Sequence, residues 1–409
     1  MSTAEAPQRW KILGLLALAE LLGMSLWFTA SAVGPQLAEL WSLSGSETAA
    51  LTTAVQMGFV LGTALAAVLN LADLVPARGY FAISAILGAL ANGALVLEPS
   101  YQTALGLRFL TGFFLAGVYP PGMKMAATWF VQARGLAIGT LVGALTVGKA
   151  TPYLIKAVPG ATFHGVVSAA SVGALLAALL VAVAYRDGPH VFERRAFSWK
   201  LVGTVARHRK TRLATLGYLG HMWELYAMWT WVPAFLAAST SAGSSGEAWV
   251  DVAAFGAIAA GGLGCVWGGW AADRMGRARL VRRMLTISGL CSLLIGTLFG
   301  ASPWILLPVT WIWGFTVVAD SAQFSALVTE VAPRHAVGTA LTLQTSLGFL
   351  LSTVTIQWVP ELVDRFGWPL AFPILALGPA VGLLAMGRLL EESRSEVGPG
   401  GEGSPPYQR

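Results

Sequence analysis

Twelve runs of about twenty mostly apolar residues follow one another along this chain, and that repetition limits the possible folds more than any other feature. A run of this length forms a helix that crosses a hydrocarbon core, where every backbone N–H and C=O must be paired within the segment. The runs cover residues 12–34, 48–71, 79–97, 102–127, 135–157, 162–185, 212–237, 249–272, 281–301, 304–329, 336–359 and 367–388. Composition agrees. Of 409 residues, 56% are hydrophobic and 11% charged, whereas a soluble domain carries roughly 25% charged residues to cover its surface. Lipid is the expected solvent for most of the chain.

The connections carry the orientation. Lys and Arg gather at Arg9 and Lys11, then at Arg78, Arg134, the stretch 186–211 (Arg186, Arg194, Arg195, Lys200, Arg207, Arg209, Lys210), the set Arg274 to Arg283, and Arg334. The alternate connections hold Glu39, Glu47, Glu98, Glu247, Glu361, Asp364 and Arg365, with Lys156 at a helix end. Short loops rich in Lys and Arg stay cytoplasmic, so both termini are expected there. The net charge of +6 then reads as a topology signal and not as a nucleic-acid surface. The expected organisation is a cytoplasmic N-terminus 1–11, a six-helix bundle 12–185, a cytoplasmic central loop 186–211, a second six-helix bundle 212–390, and a disordered tail 391–409 rich in Gly and Pro. The first apolar run is too long for the core of a cleaved leader and reads as a true span. Cys265 and Cys291 both lie inside spans and are expected as free thiols.

The halves repeat. Glu20, Leu21, Met24 and Trp27 of span one recur as Glu224, Leu225, Met228 and Trp231 of span seven, offset by 204. Asp73 and Asp273 are offset by 200, Gly112 and Gly314 by 202, Arg134 and Arg334 by 200, and the Gly58/Gly62 and Gly264/Gly268 pairs by 206. An ordered series of matches points to two copies of one six-helix unit. The stretch with Gly269, Ala272, Asp273, Arg274, Gly276, Arg277 and Arg279 resembles the G-x-x-x-D-R-x-G-R loop of the major facilitator superfamily. Arg108 and Gly112 resemble its R-x-x-x-G motif, and the first-half loop keeps only Asp73 and Arg78. The resemblance covers all twelve spans. It implies an all-α membrane protein of twelve transmembrane helices in two pseudo-symmetric six-helix bundles around a cavity that opens alternately to each side. It also implies that spans one, four, seven and ten line that cavity, that Asp73, Arg78, Asp273, Arg274 and Arg277 act as a conformational gate, and that the protein is a monomer.

Ionisable side chains inside a span are costly and therefore functional candidates. They are Glu20, Arg108, Lys124, Lys149, His221, Glu224 and Asp320. At about 1.5 Å of rise per residue, Glu20 lies roughly 14 Å into its span, with His221 and Glu224 at similar depth. Lys149 and Arg108 fall toward the outer half, and Asp320 and Lys124 toward the cytoplasm. Glu20, Met24 and Trp27 share one helix stripe, as do Glu224, Met228 and Trp231. A carboxylate in a partly dehydrated cavity changes its proton affinity as its exposure changes, which is the chemistry of proton coupling. Glu20, Glu224 and Asp320 are the expected coupling residues. Trp27, Arg108, Lys149, His221 and Trp231 are the expected substrate contacts. Arg108 and Lys149 would hold an anionic group or neutralise Glu20, and His221 could act as a relay. The alternative is that these charges pair with one another for packing alone.

The leading expectation is a secondary active transporter that moves a small organic anion with protons by alternating access, in a bacterial inner membrane. Proton-driven efflux of amphipathic or cationic compounds is the alternative, since the acid and indole stripes suit a cation too. Span five has Gly139, Gly143, Gly148 and Pro152 but lacks the adjacent Gly-Pro of the superfamily's antiporter signature, which favours the first reading. A membrane enzyme or sensor is a minor alternative. No H-E-x-x-H spacing and no His/Cys cluster occurs, so no catalytic residue, cofactor or metal is expected.

Overall fold

A computed structural model describes residues 5–69, 71–130, 133–190, 197–240 and 247–397. Twelve antiparallel spans are present, and most are single helices. Spans two, three, five and six are Gly45–Val68, Ala77–Gly93, Arg134–Lys156 and Phe163–Ala184. Spans seven, eight, nine and eleven are Arg209–Ser239, Glu247–Met275, Arg277–Leu294 and Val337–Phe366. Span twelve ends in Leu377–Val397, which runs past residue 390 into the stretch read from sequence as a disordered tail. The remainder of that stretch lies outside the described residues.

Local chemistry fixes several starts. Ser44 accepts the Glu47 N–H while the Glu47 carboxylate accepts the Ser44 N–H, a capping box that opens span two. Ser100 and Thr162 cap spans four and six in the same way through the Thr103 and Gly165 N–H groups.

Three spans are broken. Span one is helical over Glu5–Met24, turns through Ser25–Phe28 and resumes as Thr29–Ala32 and Gly34–Trp41. Span four divides into Tyr101–Leu115 and Tyr119–Ala127. Pro120 and Pro121 open its second piece and cannot donate to the preceding turn. Span ten divides at Asp320 into Pro303–Ala319 and Ser321–Val331. The breaks in spans four and ten are equivalent in the repeat, because an offset of 202 carries 116–118 onto 318–320. Discontinuous helices of this kind build substrate and ion sites in transporters.

Nine helices among the described residues are long and apolar enough to cross a membrane by length and composition. Spans one, four and seven fall outside that count. Span one carries Arg9, Lys11 and Glu20, span four is in two pieces, and span seven carries His221, Glu224 and several basic residues at its start.

The packing repeats as the sequence does. In the first bundle, span two lies against four, three against six, and one against five and six. In the second, eight lies against ten, nine against twelve, and seven against eleven and twelve. Glycines set the closest approaches. A Cβ at Gly58 or Gly112 would overlap the backbone carbonyl of Phe109 or Val55, and one at Gly264 or Gly314 that of Phe315 or Ala257. The matched glycines of the two halves therefore do the same work, bringing span two onto four and eight onto ten. The bundles meet along two symmetric seams, span five on eight and span two on eleven.

The central loop is more structured than expected from sequence. Trp199–Arg207 is a helix, and the Ser198 N–H donates to Thr339 Oγ1 at 3.0 Å, which ties the loop to span eleven. Trp129 Nε1 donates to the Arg186 carbonyl at 3.0 Å, pinning the loop's first residues to the end of span four.

Candidate functional site

Where the two bundles meet near mid-depth, six aromatic rings pack across the seam. Trp27 and Phe28 come from the break in span one, Phe59 from span two, Tyr226 and Trp229 from span seven, and Phe349 from span eleven. Trp27 stands 5.7 Å from Tyr226 and 5.8 Å from Phe349, centroid to centroid. Phe28 stands 6.0 Å from Trp229, and Phe59 4.8 Å from Phe349. Lys149 of span five enters this group. Its ammonium donates to Tyr226 Oη at 2.6 Å and lies 4.1 Å from the Trp27 ring, 4.8 Å from Tyr226 and 5.2 Å from Trp229. A first-bundle cation is therefore held by aromatic faces of both bundles.

Glu20 is fully buried and lies within electrostatic reach of Lys149. Neither of its carboxylate oxygens has a hydrogen-bond partner among the described residues. Gly122 lies directly against it, and a Cβ there would overlap Oε1. Two other buried polar atoms in the group are equally bare: Trp27 Nε1 and Trp229 Nε1 have no partner among the described residues, and Gln56 Nε2 on span two has none either. Buried polar groups are normally paired, so this cluster is the candidate place for a ligand.

Arg108 and Glu224 take up positions that sequence depth alone does not indicate. The Arg108 guanidinium donates to the Leu26 carbonyl at 3.0 Å, to the Trp27 carbonyl, and to Asn92 Oδ1 at 2.9 Å. These are the carbonyls left without intrahelical donors by the break in span one. The expected anion contact is thus occupied in holding that break, and with it the Trp27 ring. Arg108→Lys retains the charge but loses the fork that reaches two carbonyls at once. It should lower the melting temperature by several degrees without changing which solutes are transported, read by thermal unfolding and uptake; an unchanged melting temperature would contradict this role.

Glu224 faces its own bundle. Trp313 Nε1 donates to Oε1 at 2.6 Å and Ser288 Oγ to Oε2 at 2.9 Å. Trp231 likewise turns inward, donating to the Ile356 carbonyl at 2.9 Å. The seam is faced instead by Tyr226 and Trp229. Tyr226 is two positions after Glu224, about 200° of helix rotation, so they stand on opposite faces. Sequence reasoning missed Tyr226, Trp229, Phe28, Phe59 and Phe349. An aromatic pair at i and i+3 beside the acid was the available signal.

His221 and Asp320 meet at the break in span ten. His221 Nδ1 stands 3.0 Å from Asp320 Oδ1, and its Nε2 is 2.8 Å from Ser321 Oγ, all three side chains within the second bundle. At the ends of the spans, Arg277 is 2.7 Å from Glu330 Oε1, bonds Gln323 Oε1 at 2.8 Å and lies 4.0 Å from Asp273. Arg274 stacks on Trp270 at 3.8 Å. The Asp273 carboxylate faces Gly135 at the start of span five, where a Cβ would stand 3.4 Å from Oδ2. Arg78 is exposed, and the Asp73 side chain lies outside the described residues.

On the face poor in Lys and Arg the seam is tied by polar contacts. Gln56 Oε1 accepts from Ser352 Oγ at 2.5 Å, Gln357 Nε2 donates to Thr53 Oγ1 at 3.0 Å, and Lys156 is 3.2 Å from Asp251. Two bundles joined by breakable seams over a shielded, polar-handled site define a membrane transporter of small solutes. The family model of the Major Facilitator Superfamily matches residues 15–356, and the chain belongs to that family. It is a secondary transporter and not an enzyme.

The hexuronate transporter of Escherichia coli K12 is 23% identical over 413 residues, covering 94% of each chain. Among solved structures, the proton:xylose symporter XylE has a TM-score of 0.72 at 14% identity, over 94% of this chain and 96% of that one. The nucleoside transporter NupG has a TM-score of 0.69 at 15% identity, over 92% and 99%. A bacterial homologue of the lysosomal transporter Spinster, inward-facing and unoccupied, has a TM-score of 0.64 at 16% identity, over 94% of each.

Proposed function

We propose that this protein carries a small polyhydroxylated organic anion, of the sugar-acid class, together with protons. The observation that carries the reading is the donor-rich seam: the Lys149 ammonium lies over the Trp27 and Trp229 rings, whose indole N–H groups are unpartnered among the described residues, with the buried Glu20 within electrostatic reach. Donors in excess suit a ligand that offers a carboxylate and hydroxyl oxygens. Aromatic faces suit the C–H face of a sugar ring. The hexuronate transporter among its relatives handles a solute of this class by name.

Coupling follows from charge. With Glu20 ionised, Lys149 has its counter-charge within the protein. When Glu20 takes a proton, the ammonium is left uncompensated in a buried site and a substrate carboxylate can replace it. Proton and anion then enter together. The cation-exporter alternative is less well supported, because the seat over the aromatic faces is filled by the protein's own ammonium. The Lys- and Arg-rich ends are assigned to the cytoplasm of a plasma membrane by their charge, so the polar seam of Thr53, Gln56 and Lys156 is the outer one and must part for loading. Separation of Asp273 from the start of span five would be the reciprocal inner step.

The test is proton movement in proteoliposomes holding a pH dye, on adding hexuronates, neutral hexoses, nucleosides or organic cations. Hexuronates should drive protons inward and neutral hexoses should not. Equal responses to neutral hexoses would remove the anion assignment, and proton flow opposite to added cations would favour export.

A further inference from the structure

We infer that span nine carries a binding site for the phosphate headgroup of an anionic phospholipid, apart from the transport seam. Arg279, Arg282 and Arg283 fall on one stripe of the helix with Thr286, and these four side chains line a pocket of about 250 Å³. All four are exposed. Among the described residues none of the three arginines has a carboxylate within ion-pair distance, and Arg283 Nη1 donates to the Met275 sulfur at 3.6 Å. Their neighbour Arg277, by contrast, turns inward onto Glu330 and Gln323. The charge on this stripe is therefore free to meet an outside anion.

What continues the stripe identifies the anion's other half. Leu290 and Leu293, one and two turns further on, are 52% and 47% exposed, with Ile287 and Leu294 beside them. A single outward line thus reads guanidinium, guanidinium, hydroxyl, then alkyl. The arginines stand roughly 3 to 9 Å along the axis from the helix start, the depth of headgroups, and the leucines lie deeper in hydrocarbon. Exposed Trp270, with Arg274 stacked on it, marks the interface level at the end of the preceding span. An orientation signal needs only a count of charges on one side; it does not need three unpaired guanidiniums converging on one concave patch above an alkyl stripe. A phosphodiester with an acyl chain matches both parts.

Native mass spectrometry of the purified protein with graded phosphatidylglycerol or phosphatidylcholine tests this. Wild type should retain phosphatidylglycerol in preference. R279Q/R282Q/R283Q should bind it on the order of a hundredfold more weakly, since each basic residue near a headgroup strengthens binding several-fold. The charge-matched K200Q/R207Q/R212Q should bind as wild type does. Equal losses in both triple variants, or no loss in the first, would overturn the site. Inorganic phosphate displacing the lipid at comparable concentration would also overturn it, because the alkyl stripe would then contribute nothing. If the first variant unfolds, R282Q alone, with an expected several-fold loss, serves in its place.

Discussion

Glu20→Gln is expected to abolish uphill accumulation of substrate while leaving exchange across the membrane intact. A symporter moving one proton with one monovalent anion can reach about a tenfold gradient for each pH unit imposed, since one unit is worth about 1.4 kcal/mol. The glutamine keeps the shape of the side chain and stays beside Lys149, but it cannot exchange a proton. Permanently neutral, it resembles the protonated acid, so the site should still bind the anion and still cross. In proteoliposomes with an inward proton gradient, wild type should accumulate labelled hexuronate and Glu20→Gln should only equilibrate it. Counterflow, which needs no net proton movement, should persist. A variant that still concentrates substrate would remove Glu20 from the coupling step. Glu224→Gln supplies the contrast. Its carboxylate is fixed by Trp313 and Ser288, and an amide oxygen can accept from Trp313 as well, so accumulation should remain close to wild type.

That contrast between two acids in equivalent sequence positions shows what could be read from the chain and what could not. Span number, alternation of basic loops and the two-fold repeat all follow from constraints that act on residue type. Lipid demands apolar helices, and close crossings demand glycine at Gly58, Gly112, Gly264 and Gly314 alike. Side-chain partners obey no such rule. The repeat brings a serine of span nine and an indole of span ten to Glu224. At Glu20 the corresponding surroundings are a glycine and, within electrostatic reach, the Lys149 ammonium.

Depth along a span put Glu20 near mid-span and Lys149 toward the outer half, so the expectation that Lys149 could neutralise Glu20 came from opposite charge and not from depth. Depth could not place Arg108, whose role is set by carbonyls freed at Ser25–Phe28, where the local sequence has neither proline nor glycine to announce a break. Nor could it choose the seam-facing side of span seven. The stripe carrying the acid was taken for that side, while the aromatic stripe of Tyr226 and Trp229, with fewer polar atoms to mark it, is the one that meets the other bundle.

Lys149→Met should have the largest effect on binding. The ammonium supplies a full positive charge within the aromatic group, bonded to Tyr226 and lying over three rings. Truncating one partner of a buried, hydrogen-bonded charge pair costs about 2 to 5 kcal/mol, so anion affinity should fall by roughly thirtyfold or more. The same change leaves the Glu20 carboxylate without its counter-charge, and the variant should also unfold at lower temperature. The two effects separate in the double variant. Glu20→Gln/Lys149→Met replaces the buried pair with two neutral groups of similar size and should recover most of the lost thermal stability, yet it should bind hexuronate no better than Lys149→Met alone. Thermal unfolding and equilibrium binding on the four proteins of this cycle give both numbers. Recovery of binding along with stability would mean that Lys149 acts only by neutralising Glu20; undiminished hexuronate affinity in Lys149→Met would mean that the anion is held elsewhere.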